Sequence, residues 1–194
     1  MNIHDLVLRA RSYRRFDESI SISRETLLSW IDTARLTMSS VNIQPLKYYL
    51  SHKVETNAKI RPHVRWAGLL RDFDGPDEGE NPSAYIVICV DKNIQNATPE
   101  RFAKDVGIAA QTIMLEAVSA GYGGCMIGSL DANKIALALD LQDNWQIALV
   151  LALGKPAEKV VLEELEEGGA SAYYRDADDI HHVPKRKLKD IVRY

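Results

Sequence analysis

Two uninterrupted apolar runs, Ala84-Tyr85-Ile86-Val87-Ile88-Cys89-Val90 and Ile147-Ala148-Leu149-Val150-Leu151-Ala152-Leu153, limit the folds open to this chain. Each is bounded by turn residues and reads as a strand covered on both faces. Strands of that kind need helices to cover them. The best cover starts with Thr98 as N-cap and Pro99 at the first helical position, and it continues to Gly121. Between Val106 and Val118 this helix is apolar almost all round, broken mainly by Gln111, Thr112 and Glu116. A helix apolar on every side is buried on every side, under a sheet or against a second subunit.

Shorter elements flank this frame. A first helix over Ile3 to Arg9 shares one face among Ile3, Leu6 and Val7. Ser23 is a good N-cap for a second helix, where Leu27, Ile31, Ala34 and Met38 repeat at helical spacing and Ser39-Ser40 mark the end. Leu46 to Leu50 alternates as a half-buried strand does. The stretch 72–82, dense in Asp, Gly, Glu and Pro, is an exposed loop and a candidate lid or rim. Asp131 caps a helix through about Leu139; an acidic run at 163–167, a Gly168-Gly169 turn, an extended stretch through Val183 and a short basic helix close the chain.

The 194 residues can bury one good core, so one compact domain over 1–194 is expected. With 46% apolar residues, 26% charged and a formal net charge of -3, nothing points to nucleic-acid binding or a membrane span. The charged N-terminus lacks the apolar region of a signal peptide, and Cys89 and Cys125 form no disulfide framework or metal-ligand spacing. A cytoplasmic location is expected. Adjacent His181 and His182 on an extended chain face opposite ways and cannot both ligate one ion easily.

Three polar clusters remain. Arg11-Ser12-Tyr13-Arg14-Arg15 offers guanidinium groups and a hydroxyl suited to a phosphate, provided the loop bends so that Arg11 and Ser12 face the same way. Ser39-Ser40-Val41-Asn42-Ile43-Gln44-Pro45 crowds hydroxyls and carboxamides at a helix exit, where they serve either as caps and turn residues or for the mixed edge of a heterocycle. Gly121-Tyr122-Gly123-Gly124-Cys125-Met126-Ile127-Gly128-Ser129 reads as a glycine-rich loop that lets backbone approach a ligand. It lacks the GK[ST] ending of a phosphate loop, and no GxSxG, HExxH or CxxC pattern appears.

Taken in order with Asp105 to Gln111 at the opening of the central helix and Val183-Pro184-Lys185-Arg186 near the end, these segments resemble the nitroreductase family of FMN-dependent oxidoreductases. The resemblance implies an α+β fold, a mostly antiparallel sheet wrapped by helices, in an interlocked homodimer with FMN at the subunit interface. It assigns Arg11, Ser12, Arg14, Lys185 and Arg186 to the FMN phosphate and the pyrimidine end of the flavin, with Arg14 at the pyrimidine. Ser39, Ser40, Asn42 and Gln44 are expected to reach the flavin from the partner subunit, and Gly128 or Ser129 to place a backbone amide near flavin N5. NADH or NADPH is the implied reductant and a small electrophile, nitroaromatic or quinone-like, the implied acceptor, by a ping-pong mechanism with no obligatory protein acid or base.

Two positions depart from the family pattern: Ala10 stands where many members have arginine, and Leu46 follows Gln44-Pro45 in place of tryptophan. The segment between Leu50 and Ser83 is short, in the part of the chain where larger members carry substrate-facing helices. These features keep open a flavin-binding module that senses redox state or sequesters FMN without turnover, and a structural protein that has lost the cofactor.

Overall fold

The computed structural model describes residues 2–70 and 73–193. Helix α1 (Ile3–Arg9) leads into the short strand β1 (Phe16–Asp17) and helix α2 (Arg24–Ala34). A 3-10 turn at Ser40–Asn42 precedes strand β2 (Leu46–Ser51), helix α3 (Val54–Ile60), strand β3 (Ala84–Asp91) and the long helix α4 (Ala103–Ser119). Then follow β4 (Gly123–Ile127), α5 (Ala132–Leu139), β5 (Trp145–Pro156), β6 (Val160–Glu164), β7 (Tyr174–Arg175), β8 (His181–Lys185) and α6 (Leu188–Ile191).

Strand β5 organises the main sheet. It pairs antiparallel with β3 along one edge, for example Val87 opposite Val150, and with β4 along the other, Cys125 opposite Ala152. Strand β2 extends the sheet beyond β3, and β1 joins at Phe16 opposite Pro156, all antiparallel. A smaller sheet pairs β8 parallel with β6 and antiparallel with β7.

Alternation along β3 explains why its whole length is apolar. Ile86, Ile88 and Val90, with Leu151 and Leu153, pack under α2 and α4 against Leu27, Trp30, Ala109 and Ile113. Tyr85, Val87 and Cys89, with Val150 and Ala152, face Phe16, Ile60, Trp66 and Ile135 on the other side. Both faces are therefore core. Full burial of a side chain such as Ile113 contributes about 1.5–3 kcal/mol.

The expected caps are present: the Ser23 hydroxyl accepts from Thr26 N at 3.1 Å and Asp131 Oδ1 from Lys134 N at 3.1 Å. Several expectations need correction. Helix α2 stops at Ala34 because Thr37 Oγ1 donates to the Ala34 carbonyl at 2.7 Å and the chain turns; Met38 is 80% exposed and belongs to no buried stripe. Regular helix in α4 begins at Ala103, although Thr98 Oγ1 does accept from Arg101 N at 3.3 Å one turn earlier. Within the chain the fold covers one side of α4, while Gly107 and Gln111 on its other side are exposed, with Ile108 and Leu115 half-buried.

The middle of the glycine-rich segment, Gly123–Ile127, is strand β4. A Cβ on Gly123 would come within 2.6 Å of the Tyr13 ring, and one on Gly124 would run into the Ala152 carbonyl oxygen, so glycine here permits close packing inside the sheet. Strand β2 alternates as expected: Leu46, Tyr48 and Leu50 pack half-buried against the core under α2 and α4, while Tyr49 faces the other side. Of the 72–82 loop, Asp72 lies outside the described residues; Phe73, Asn81 and Pro82 are buried and anchor a stretch whose middle is exposed. No described helix is long and apolar enough to cross a membrane.

Candidate functional site

The first basic cluster is held by the end of α1 and the start of β4. Ala10 N donates to the Leu6 carbonyl, and tight turns place Arg11 N on Arg9 O at 2.9 Å and Tyr13 N on Arg11 O at 3.0 Å. Ser12 then bridges Gly124, with Tyr13 N donating to Gly124 O at 3.0 Å. The loop is bent, as a shared anion grip requires. Arg11 Nη2 donates to Val7 O at 2.6 Å, closing the C-terminal end of α1, and burial lowers the guanidinium pKa.

Arg14 points inward and is only 7% exposed. Its Nη1 donates to Ser12 O at 3.2 Å and lies 3.0 Å from His181 Nε2, while the Tyr173 ring covers the guanidinium at 4.8 Å. An arginine can only donate, so His181 Nε2 accepts and the imidazole proton sits on Nδ1. Burial first, then the charges of Arg14, Arg175 and His182, push the His181 pKa down to about 4, so the ring is neutral near pH 7. Arg11, Ser12, Arg14, Gln111, Met126 and Lys185 surround a cleft of about 310 Å³ beside this pair.

Ser39, Ser40, Asn42 and Gln44 lie elsewhere in the chain's own fold and do not line that cleft. Their loop is fastened to α4 by Asp105. Ser39 Oγ donates to Asp105 Oδ2 at 2.6 Å, Ser40 Oγ to Oδ1 at 2.6 Å and Ser40 N to Oδ2 at 2.9 Å. Burial works against the Asp105 charge, yet these donors outweigh it and lower the carboxyl pKa. Ser39 Oγ also accepts from Gln44 N at 2.9 Å, and Gln44 Nε2 donates to Asn42 Oδ1 at 3.0 Å on the exposed surface. Val41, Asn42 and Gln44 all have φ between 53° and 55°, a strained left-handed conformation for non-glycine residues, which this network sustains.

Gly128 and Ser129 follow the far end of β4. Ser129 lies five positions beyond Gly124, which is beside Ser12, roughly 17 Å of extended chain. A Cβ on Gly128 would meet nothing within 4 Å, so its backbone borders open space. Ser129 O accepts from Arg65 N at 2.9 Å, and Ser129 lines a separate cleft with His63, Arg65 and Lys134. Lys185 joins the Arg14 cleft; Arg186 is exposed just outside it.

The C-terminal segment is anchored by its own charges. Glu158 accepts from the backbone N–H groups of Arg14 and Arg15 and pairs with Arg175, while Arg15 and Arg175 both pair with Asp179. The histidines do face opposite ways: His181 is buried against Arg14, and His182 stands between Glu163 and Asp176. Sequence reasoning missed His181 and Tyr173 as neighbours of Arg14, and Asp105 as the anchor of Ser39 and Ser40. Alternation at His181-His182 was the available signal that one ring faces inward; Tyr173 in an irregular segment carried none.

The Nitroreductase family model matches residues 7–155 of the chain. The Bacillus subtilis (strain 168) protein named "Putative NAD(P)H nitroreductase YodC" is 24% identical over 176 residues, covering 77% of this chain and 87% of that protein. A nitroreductase family protein from Clostridium novyi NT superposes with a TM-score of 0.68 at 26% identity, over 80% of this chain and 87% of that one. The structure described as "a putative nitroreductase in complex with FMN" from Exiguobacterium sibiricum 255-15 gives 0.72 at 21% identity, over 100% and 97%. These structures share the α+β arrangement of helices around an antiparallel sheet. On the match over residues 7–155, the chain belongs to the nitroreductase family.

Proposed function

We propose that this chain is an FMN-dependent oxidoreductase that passes hydride from NADH or NADPH to nitroaromatic, quinone-like or other electrophilic small molecules. The observation that carries this is the buried, positively charged Arg14 cleft at one end of β4, with open backbone at Gly128 at the other. The donor set fits FMN. Arg11 Nε and Arg14 Nε are buried without partners among the described residues, and Lys185 and Arg186 are exposed cations suited to a phosphate dianion. FMN, when bound, supplies the hydride-accepting and hydride-donating centre, with reductant and acceptor occupying the same place in turn.

The chain's residues bind and orient. Arg11, Ser12, Lys185 and Arg186 hold the phosphate, Arg14 lies toward the flavin pyrimidine, and the Gly128 and Ser129 amides border the reactive edge. The Asp105-bound loop leaves the Asn42 and Gln44 carboxamides exposed, and they serve a partner subunit's cofactor along with Ser39 and Ser40. The open side of α4, with Gly107, Ile108 and Gln111, is the face a second copy covers. The chain acts as one domain in a cytoplasmic homodimer, where Cys89 and Cys125 stay as buried free thiols.

Anaerobic mixing of the purified protein with each nicotinamide tests this. A flavin absorbance bleached by NADH or NADPH and restored by a nitroaromatic or quinone is expected; absorbance that neither nicotinamide bleaches sinks the proposal. The short segment between Leu50 and Ser83 favours one second reading, a flavin-binding module that senses redox state or sequesters FMN without steady turnover. Reduction that no acceptor reverses would favour it.

A further inference from the structure

Arg14 is a buried guanidinium whose side-chain contacts among the described residues are all neutral: the Ser12 carbonyl oxygen, the His181 ring and the face of Tyr173. The nearby carboxylate, Glu158, is committed elsewhere. Its Oε1 accepts from the backbone N–H groups of Arg14 and Arg15, and its Oε2 pairs with the Arg175 guanidinium. No ion pair to Arg14 exists among the described residues. Burying a charge without a counter-charge is costly, and an acid at position 181 would remove the cost internally. An imidazole does not. It accepts a hydrogen bond and fixes the guanidinium while leaving its charge intact.

We infer that His181 and Tyr173 are positioning residues that hold Arg14 aimed and electrically uncompensated, so that the negative charge it lacks comes from the ligand in the cleft, developing at the flavin pyrimidine as the ring is reduced. This rests on the FMN proposal and adds two residues to it. Tyr173 closes the device from the side: its ring tilts on His181 at 5.2 Å between centroids, and its hydroxyl accepts from Leu69 N at 3.4 Å. A cation pressed between an aromatic face and an acceptor cannot swing toward solvent. The groups facing His181 are Arg14 from the loop after α1, Arg175 from β7, Tyr173 beside it and His182 on its own strand, and none of them is acidic.

The substitutions that separate charge from packing are His181→Gln, which keeps a neutral acceptor, and His181→Glu, which gives Arg14 its own counter-charge. Tyr173→Phe keeps the ring and Tyr173→Leu removes it. Folding is checked by circular dichroism, FMN affinity by fluorescence titration and the flavin midpoint potential by dye equilibration. His181→Glu should weaken FMN binding roughly tenfold or more and lower the potential, because the positive charge beside the flavin is neutralised. His181→Gln and Tyr173→Phe should stay within about threefold of the wild type in affinity, and Tyr173→Leu should fall between them and His181→Glu. Folded His181→Glu with unchanged affinity and potential, or His181→Gln as damaging as His181→Glu, overturns the inference. If His181→Glu does not fold, Tyr173→Leu decides: affinity and potential equal to wild type overturn it. A wild-type protein that binds no FMN overturns the FMN proposal and this inference together, whereas FMN binding indifferent to these substitutions overturns this inference alone.

Discussion

Ser40 grips Asp105 twice, through its amide at 2.9 Å and its hydroxyl at 2.6 Å, and so ties an exposed, strained loop to the first turn of α4. The acid is the anchor, and the serines are its ligands. Asp105→Asn keeps the shape but offers one acceptor oxygen where two are used. It should cost about 1–3 kcal/mol, since bonds to a charged acceptor are lost. Thermal unfolding measures this, and the Asn42–Gln44 pair should lose its fixed position in NMR spectra. An unchanged midpoint would mean that the loop is held by other contacts.

The glycines of β4 and its exit have different duties, and alanine should separate them. Gly124→Ala drives a Cβ against the Ala152 carbonyl oxygen and to 2.9 Å from Leu153 Cδ2, so a stability loss of about 1–3 kcal/mol is expected. Gly128→Ala meets nothing and should leave stability within about 0.5 kcal/mol, while its methyl group obstructs close approach to the backbone and weakens FMN binding. Equal FMN affinity in Gly128→Ala and wild type would remove Gly128 from the site.

Phosphate recognition can be isolated by comparing FMN with riboflavin. The double substitution Lys185→Ala with Arg186→Ala should weaken FMN several-fold, an effect that fades in high salt, and leave riboflavin affinity unchanged. Parallel losses for both ligands would place these cations against another part of the cofactor. Arg11→Ala should also fray α1, because it removes the donor to Val7 O.

His182 links the small sheet to pH. Its Nε2 lies 2.8 Å from Asp176 Oδ2 and its Nδ1 meets Glu163, so both nitrogens donate only when the ring is charged. The hydrogen bonds that the ring donates to Asp176 and then to Glu163 raise its pKa above the ordinary 6.5. The folded state therefore binds the proton more tightly than the unfolded one, and this stabilisation is complete below the unfolded value and lost as pH rises through the folded one. Denaturant melts followed from about pH 6 to about pH 9 should show a declining midpoint that His182→Gln flattens. A wild-type profile with no decline over that interval contradicts the assignment.

Much of the frame was legible because it rests on local pattern. The runs at 84–90 and 147–153 sit in β3 and β5, and the Ser23 and Asp131 caps lie where side-chain chemistry places them. Helix α3 was not anticipated: Val54–Ile60 is short and mostly polar, and only Ile60 is buried. The glycine segment misled because flexibility and close packing use the same residue, and only the strand opposite decides between them. Of the site, the cations were readable as residue types. Their neutral partners were not, since His181 meets Arg14 through a register set by β6 and β8.

Arg14 and His181 are separated by 167 positions in the chain. At synthesis rates of ~5–20 residues per second, on the order of ten seconds or more pass between their emergence, and in that time the arginine has no imidazole to meet. β1 likewise waits for residues 155 and 156 to find its partner. Such distant pairings make for slow closure of the sheet. A chain stalled before residue 181 would carry its positive charge in a half-built pocket, making completion of that pocket one of the last events in the maturation of each molecule.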